Sequence, residues 1–153
     1  MNKTQIAVNI FDKCVSLYQD KFMDVSLYHS GFDLFCNSIK KQNAEILELA
    51  CGRGNITKYL LDKRPDFKIL GTDLAPNMLA LAKKNNPTAE FQLLDSREIL
   101  KLNKTYDAIM CGFCLPYLTK EEAIQLMEDA AKILNANGVI YISTMEDDYS
   151  KSA

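Results

Sequence analysis

A turn with two glycines joins a short apolar run to a helical segment, and this feature restricts the fold more than any other in the chain. The apolar run is EILELA at residues 45–50, the turn is CGRG at residues 51–54, and a helix is predicted from residue 55. Further apolar runs alternate with helix-period segments up to residue 144, which is typical of a parallel sheet wrapped by helices. A ligand of such a fold binds at the carboxyl ends of the strands. The residues that follow each predicted strand are therefore the first candidates for a binding site.

The pattern predicts five strands and the helices that connect them. The strands are predicted at residues 45–50, 67–72, 89–94, 106–111 and 139–144. Helices are predicted at residues 55–63 and 76–85, near residues 97–101, and at residues 120–134, where Thr119 and Glu122 have the form of a capping box. Asn137-Gly138 is the predicted turn into the fifth strand. Residues 1–43 have helical periodicity, so we expect an N-terminal helical segment that could close over a ligand, followed by one domain at residues 44–153.

The composition is that of an ordinary globular protein with little net charge. Apolar residues make up 48% of the 153 residues, charged residues 25%, and the formal net charge is −2. The chain therefore lacks the basic field that attracts nucleic acid or anionic membranes. No apolar run approaches the ~20 residues that span a bilayer, and the N-terminus lacks the apolar stretch of a signal peptide. We expect a cytoplasmic protein that binds neither nucleic acid nor membrane.

Five cysteines, at positions 14, 36, 51, 111 and 114, are an odd number for a chain without an export signal. Free thiols in a reducing cytoplasm are the expected state. Cys111 and Cys114 form a CxxC pattern, but zinc needs a second pair of ligands and a redox role needs a thioredoxin-like context. The chain has a single histidine, and no metal site is predicted.

Carboxylates follow three successive predicted strands. Glu48 lies at the end of the first strand, Asp73 follows the second, and Asp95-Ser96 follows the third. A carboxylate at the position of Glu48 disfavours a pyrophosphate and suits a cationic group, and the NAD fingerprint G-x-G-x-x-G lacks its third glycine because residue 57 is threonine. Asp73 could accept hydrogen bonds from ribose hydroxyls. Alone, Asp73 or Asp95 is also typical of a helix N-cap, but all three groups share one edge of the predicted sheet.

The chain closely resembles the class I S-adenosylmethionine-dependent methyltransferase family from residue 45 to residue 144. The motifs that carry the resemblance are ELACGRGN, GTDLAPNMLALAKK, AEFQLLDSREI, YDAIMCGFCLPYLT and KILNANGVIYIST, and they appear in the order of the family. The resemblance implies a three-layer αβα Rossmann-like fold with a parallel sheet in the strand order 3-2-1-4-5. It also implies that S-adenosylmethionine is the cofactor and S-adenosylhomocysteine the product.

Carried over position by position, the resemblance assigns a set of cofactor residues and a set near the acceptor. The implied cofactor-binding residues are Glu48, Ala50, Gly52, Gly54, Asp73, Leu74, Asn77, Met78, Asp95, Ser96, Cys111 and Tyr18. The implied substrate-side residues are Phe113, Leu115, Pro116 and Tyr117, for which core packing is the alternative. No general base can be named from the sequence.

Two departures from the family pattern set further expectations. Ala50 stands where the family loop has its first glycine, and its methyl group restricts φ. The family continues after strand five with a helix and an antiparallel pair of strands, whereas this chain stops at Ala153, as a truncated or unusually short member would. The fifth strand would then be an unpaired apolar edge, so we expect residues 139–143 to self-associate.

The resemblance implies methyl transfer to an oxygen, nitrogen or sulfur atom. The sequence CGFCLP after the fourth strand departs from the Asn-Pro-Pro-Tyr pattern of enzymes that methylate amide or exocyclic amino groups in proteins and nucleic acids. A small-molecule acceptor is therefore predicted. Two alternatives stay open at this point: a cofactor-binding module without turnover, and a nicotinamide-dependent oxidoreductase, against which Glu48 and the missing third glycine argue.

Overall fold

The computed structural model describes residues 25–112 and 118–142 of the chain. Helices and strands alternate along these residues, as the apolar pattern predicts. The helices are α1 (Val25–Ser38), α2 (Asn55–Lys63), α3 (Pro76–Asn85) and α4 (Lys120–Ile133), with a 3₁₀ helix at Ser96–Leu102. The strands are β1 (Glu45–Leu49), β2 (Lys68–Asp73), β3 (Glu90–Leu93), β4 (Tyr106–Cys111) and β5 (Leu134–Ile142).

The five strands form one parallel sheet in the order β3-β2-β1-β4-β5. This order confirms the predicted Rossmann-like topology. The strand order reverses at β1, which pairs with β2 on one side and with β4 on the other. Strands β2 and β3 follow on the first side, and β4 and β5 on the second. Register places Glu48 beside Gly71 of β2 and Met110 of β4. The carboxyl ends of these strands therefore meet at one edge, as parallel strands require.

The two faces of the sheet carry separate apolar cores. Successive strand residues point to opposite faces, so Leu47 and Leu49 of β1 pack against α4, while Ile46 packs on the side of α1 and α2. Both central strands are almost fully buried, which explains why they read as mainly apolar runs in the sequence, interrupted by Glu48 in β1 and Asp107 in β4.

The segment before β1 belongs in part to the second of these cores. Phe32, Phe35 and Ile39, which recur at helical spacing, are buried with the side chains of β1 and β4. Gly31 lies against the ring of Tyr141, and a Cβ atom there would be 2.8 Å from the ring. α1 therefore packs closely on β5. The division of the chain at residue 43 stays a prediction, and residues 1–24, with Tyr18, lie outside the described residues.

The fifth strand begins earlier than predicted. β5 starts at Leu134, directly after α4, whereas the sequence predicts a start at residue 139. Leu134 pairs with Tyr106, Val139 pairs with Ala108, and the register shifts between these two pairs. Asn137, at φ 64°, lies in the irregular segment. The polar sequence NANG hides this pairing, because the residues between the two paired positions do not alternate as a regular strand does.

Within the part of the chain that the structure describes, no helix combines the length and apolar character that a bilayer span needs. Cys36 and Cys51 are buried free thiols, as expected. Cys111 is disulfide-bonded, so the expectation of free thiols is wrong at this position, and Cys14 and Cys114 lie outside the described residues.

Candidate functional site

The turn after β1, residues 50–54, is named here the glycine loop. Three of its residues have left-handed backbone: Ala50 at φ 51°, Gly52 at φ 56° and Gly54 at φ 87°. Glycine adopts this conformation without a Cβ penalty, whereas alanine is strained in it. Asn55 begins α2 directly after Gly54, which is the N-cap residue. The loop thus turns the chain from the sheet into the helix at the edge where the parallel strands end.

Asp73 ties the glycine loop to the end of β2. One oxygen of its carboxylate accepts the backbone N–H of Gly52 at 2.9 Å, and the other accepts the N–H of Ala75 at 2.9 Å. Next to this contact, the N–H of Cys51 donates to the carbonyl oxygen of Thr72 at 2.9 Å. The first two of the predicted motifs are therefore in direct contact, although 21 residues separate Gly52 and Asp73.

Glu48 is a buried carboxylate with incomplete hydrogen bonding. Its side chain is 1% exposed, and one oxygen accepts the hydroxyl of Thr57 in the first turn of α2. The other oxygen, Oε2, has no hydrogen-bond donor among the described residues. Burial raises the pKa of Glu48 to about 8, against the smaller opposing effect of the Thr57 hydroxyl. Near neutral pH this group therefore holds its proton readily and would ionise if a cation approached.

Cys51 lies within the same loop and is not a candidate nucleophile. Its side chain is 7% exposed. Burial raises the pKa of the thiol to about 12, and the charges of Glu48 and Asp73 add to this effect. A thiol in this state is a small apolar side chain rather than a reactive thiolate.

The segment after β3, residues 95–97, is named here the β3 turn, and ion pairs hold it in place. Asp95 accepts the backbone N–H of Arg97 at 2.9 Å, and its carboxylate pairs with the guanidinium of Arg97 at 2.6 Å. The same guanidinium donates to Glu122 at 2.8 Å, in the first turn of α4. The hydrogen bonds from Arg97 hold the pKa of Asp95 below its usual range. Thr119 and Glu122 form the predicted capping box.

The other predicted site residues lie around these two segments or outside the described residues. Leu74 is 62% exposed, Asn77 is exposed, and Met78 and Ser96 are partly buried. Cys111 is fully buried at the end of β4, opposite Leu49 of β1. Phe113, Leu115, Pro116 and Tyr117 lie outside the described residues.

Two residues that contact the glycine loop are not indicated by the sequence pattern. Asn85 and Asn86, at the end of α3, donate to the carbonyl oxygens of Arg53 and Gly54 in the glycine loop. Nothing in their local pattern indicates this contact, because asparagine at a helix end is common and the loop is 32 residues away.

A doubly wound parallel sheet, with a glycine loop after its first strand and carboxylates at its first three strand ends, defines the Rossmann-like class of cofactor-binding proteins. Within that class, residues 46–138 match the family model described as a methyltransferase domain, which is more than half of the chain. The chain therefore belongs to the class I S-adenosylmethionine-dependent methyltransferase family.

Individual relatives agree with this assignment. The chain is 32% identical over 106 residues to malonyl-[acyl-carrier protein] O-methyltransferase of Acetivibrio thermocellus, covering 68% of this chain and 36% of that protein. It is 32% identical over 99 residues to trans-aconitate 2-methyltransferase of Variovorax paradoxus, covering 65% of this chain and 38% of that protein. The chain spans from 30% to 62% of the length of the first curated relatives that it matches.

Solved structures share the fold. The plantazolicin methyltransferase BpumL, in complex with a pentazolic desmethylPZN analog and SAH (S-adenosylhomocysteine), matches with a TM-score of 0.69 and 25% identity, covering 98% of this chain and 61% of that one. The TehB-like SAM-dependent methyltransferase from Corynebacterium glutamicum matches with a TM-score of 0.61 and 23% identity, covering 82% of this chain and 71% of that one.

Proposed function

We propose that this chain binds S-adenosylmethionine at the glycine loop and transfers its methyl group to an oxygen, nitrogen or sulfur atom of a small-molecule acceptor. The observation that carries the proposal is Oε2 of Glu48, which is buried at the loop without a donor among the described residues. A buried acceptor without a donor destabilises a fold, so a ligand that supplies one is favoured. The ammonium group of the cofactor's methionine part is a cationic donor of this kind.

Asp73 supports the same proposal through its hydrogen-bonding capacity. Each of its carboxylate oxygens accepts one backbone N–H, and each has a second lone pair to accept a ribose hydroxyl. A ribose held there would lie next to Gly52, whose N–H already binds the same carboxylate. Asp73 therefore both orders the loop and offers acceptors to the ligand.

The remaining assignments follow the family motifs. In the proposal Gly52 and Gly54 approach the methionine part of the cofactor, and Asp95 with Ser96 accepts from the adenine amino group. The lesser contacts are assigned to Ala50, Leu74, Asn77, Met78, Cys111 and Tyr18. Asp95 meets the adenine amino group only if Arg97 leaves one of its lone pairs free, because the guanidinium already occupies both carboxylate oxygens.

When bound, the cofactor supplies an electrophilic methyl group carried on sulfur. The residues of this chain then have to hold that group in line with the acceptor atom, which is catalysis by proximity and orientation. Phe113, Pro116 and Tyr117 are proposed to border the acceptor. We assign no general base. The support for a small acceptor is that one relative is named for trans-aconitate and that BpumL was solved with a desmethylPZN analog.

Calorimetric titration with S-adenosylhomocysteine tests the cofactor site. The chain should bind S-adenosylhomocysteine but not NADH, and Asp73→Ala should abolish the binding because both ribose acceptors are removed. Asp62→Ala, which removes an exposed carboxylate on α2, is the matched control and should bind as the unchanged chain does. Binding of NADH alone, or equal binding by Asp73→Ala, would refute the proposal.

The alternative that the sequence leaves open is a module that binds the cofactor without turnover. The two candidates differ in turnover and not in binding. Release of S-adenosylhomocysteine from labelled S-adenosylmethionine in the presence of small carboxylic acids and azole peptides would support the enzyme. Tight binding without release would support the module.

Three further expectations belong to this proposal. The net charge of −2 favours a partner other than nucleic acid, and a cytoplasmic location is proposed from the sequence alone. Among the described residues, β5 forms one end of the sheet, with partly exposed side chains at residues 139–141. Self-association through this strand should give a dimer by light scattering, and a monomer at all concentrations would contradict it.

A further inference from the structure

The end of α3 reaches across to the glycine loop through two consecutive asparagines. Asn85 donates its side-chain amide to the carbonyl oxygen of Arg53 at 3.1 Å, and Asn86 donates to that of Gly54 at 3.0 Å. Asn85 is exposed, whereas Asn86 is 4% exposed. The two contacts are alike in chemistry but differ in their access to water. A hydrogen bond that water cannot replace does more to fix the conformation of the groups that it joins. The hydrogen bond from Asn86 is therefore the stronger of the two.

Asn86 is itself fixed by its surroundings. Its backbone N–H donates to the carbonyl oxygen of Ala82 at 2.9 Å and so ends α3. Its carbonyl oxygen accepts the N–H of Ala89, the residue directly before β3, at 3.1 Å. The side chain therefore extends from a rigid turn and has little freedom to move away from the loop.

The carbonyl of Gly54 is the point at which the loop becomes a helix. The same oxygen that accepts from Asn86 also accepts the N–H of Lys58 at 2.9 Å, which is the first backbone bond of α2. A Cβ atom on residue 54 would lie 2.5 Å from Nδ2 of Asn86 and 3.2 Å from Cα of Ala82. Asn86 and Ala82 thus close around a residue that has room only for a hydrogen atom.

We propose that Asn86 is a positioning residue that holds the glycine loop in its ligand-binding conformation. The inference rests on the proposed function, because it assigns the loop to the cofactor. The loop contains three residues with left-handed backbone, one of them an alanine, and such a loop is held only by the contacts around it. Asp73 holds the N–H side of the loop at Gly52, and Asn86 holds the carbonyl side at Gly54. Loss of either contact would let the loop leave the conformation that binds the ligand. The measured affinity would then fall in proportion to the fraction of molecules that keep this conformation.

The test compares three variants by their affinity for S-adenosylhomocysteine. Asn86→Ala and the nearly isosteric Asn86→Asp both remove the amide donor, and each should weaken binding about tenfold. Lys83→Met is the matched control. Lys83 donates to the carbonyl oxygens of Pro87 and Ala89, at 3.0 Å and 2.8 Å, so it supports the same turn without touching the loop. This variant should bind within about twofold of the unchanged chain.

A ligand-free measurement separates positioning from general loss of stability. In nitrogen-15 NMR spectra, the amide signals of Gly52 and Gly54 should shift or broaden in Asn86→Ala and stay in place in Lys83→Met. Wild-type affinity in either Asn86 variant would overturn the inference, as would an equal loss in Lys83→Met.

If the unchanged chain binds no S-adenosylhomocysteine, the proposed function fails and the inference is decided by NMR alone. Shifted loop amides in Asn86→Ala would then support the hold of Asn86 on the loop. Unshifted amides would overturn it.

Discussion

The glycine loop and the β3 turn lie at neighbouring strand ends of one sheet, yet different interactions hold them in place. The loop is fixed by hydrogen bonds in both directions: its N–H groups donate to the carbonyl oxygen of Thr72 and the carboxylate of Asp73, and its Gly54 carbonyl accepts from the amide of Asn86. The β3 turn depends on the guanidinium of Arg97, whose side chain is 53% exposed. Buried hydrogen bonds exclude water and tolerate little change in shape, whereas exposed ion pairs are screened by salt. The edge of the sheet where the strands end therefore combines a rigid segment, the glycine loop, with the β3 turn, whose ion pairs weaken as the salt concentration rises.

The largest difference between the two regions should appear in their response to pH. The pKa of Glu48 is raised to about 8 by burial, so between its unfolded value and about pH 8 the folded chain binds more protons than the unfolded chain. The free energy of unfolding should then fall as pH rises across this interval, by roughly 3–5 kcal/mol, and level off above it. Urea unfolding of Glu48→Gln should lack this decline. Parallel pH curves for the two proteins would contradict it.

The glycine loop should also be intolerant of added volume at one position and tolerant at another. Gly54→Ala places a Cβ atom 2.5 Å from Asn86 on a residue at φ 87°, and should lower the free energy of unfolding by about 3 kcal/mol. Gly52→Ala meets no atom within 4 Å and has only the strain of φ 56°, so it should cost about 1 kcal/mol. Chemical denaturation of both variants checks this order. Equal losses would show that backbone strain alone, not the contact with Asn86, limits residue 54.

A change in the opposite direction is expected at Ala50. This residue has φ 51° where the family loop has glycine. Ala50→Gly relieves the strain and should raise the free energy of unfolding by about 0.5–1 kcal/mol, after the greater entropy of glycine in the unfolded chain is taken into account. Thermal unfolding measures the gain. Ala80→Gly, on the exposed side of α3, is the control and should lose stability, as glycine does within a helix.

The smallest change in stability is expected at the β3 turn. Arg97→Met removes the ion pairs with Asp95 and Glu122, and the loss should be slight at low salt and vanish at high salt. The clearer signal is the pKa of Asp95, which Arg97 holds below its usual range and which should rise in the variant. NMR titration of the Asp95 carboxyl group reads this directly. An unchanged pKa would mean that the ion pair does not form in solution.

Much of the fold follows from local patterns that the sequence displays. The buried strands β1 and β4 are mainly apolar runs, and Thr119 with Glu122 forms the capping box that the spacing of these two residues predicts. The start of β5 is not apparent in the sequence, because its first pair, Leu134 with Tyr106, precedes an irregular segment with no strand periodicity. Alternation reports which face a residue occupies, and it fails where the register shifts.

The class of fold, the family, and the acidic residues at the ends of the first three strands are readable from the sequence, because they depend on residue types at short, regular spacings. How the glycine loop is held depends on contacts that form only in the folded chain. Folding places Asn86 at Gly54 and leaves one oxygen of Glu48 without a donor among the described residues. It also pairs the guanidinium of Arg97 with both Asp95 and Glu122. These contacts join residues from separate elements, and their distances and burial depend on how helices pack against the sheet, which no local spacing encodes.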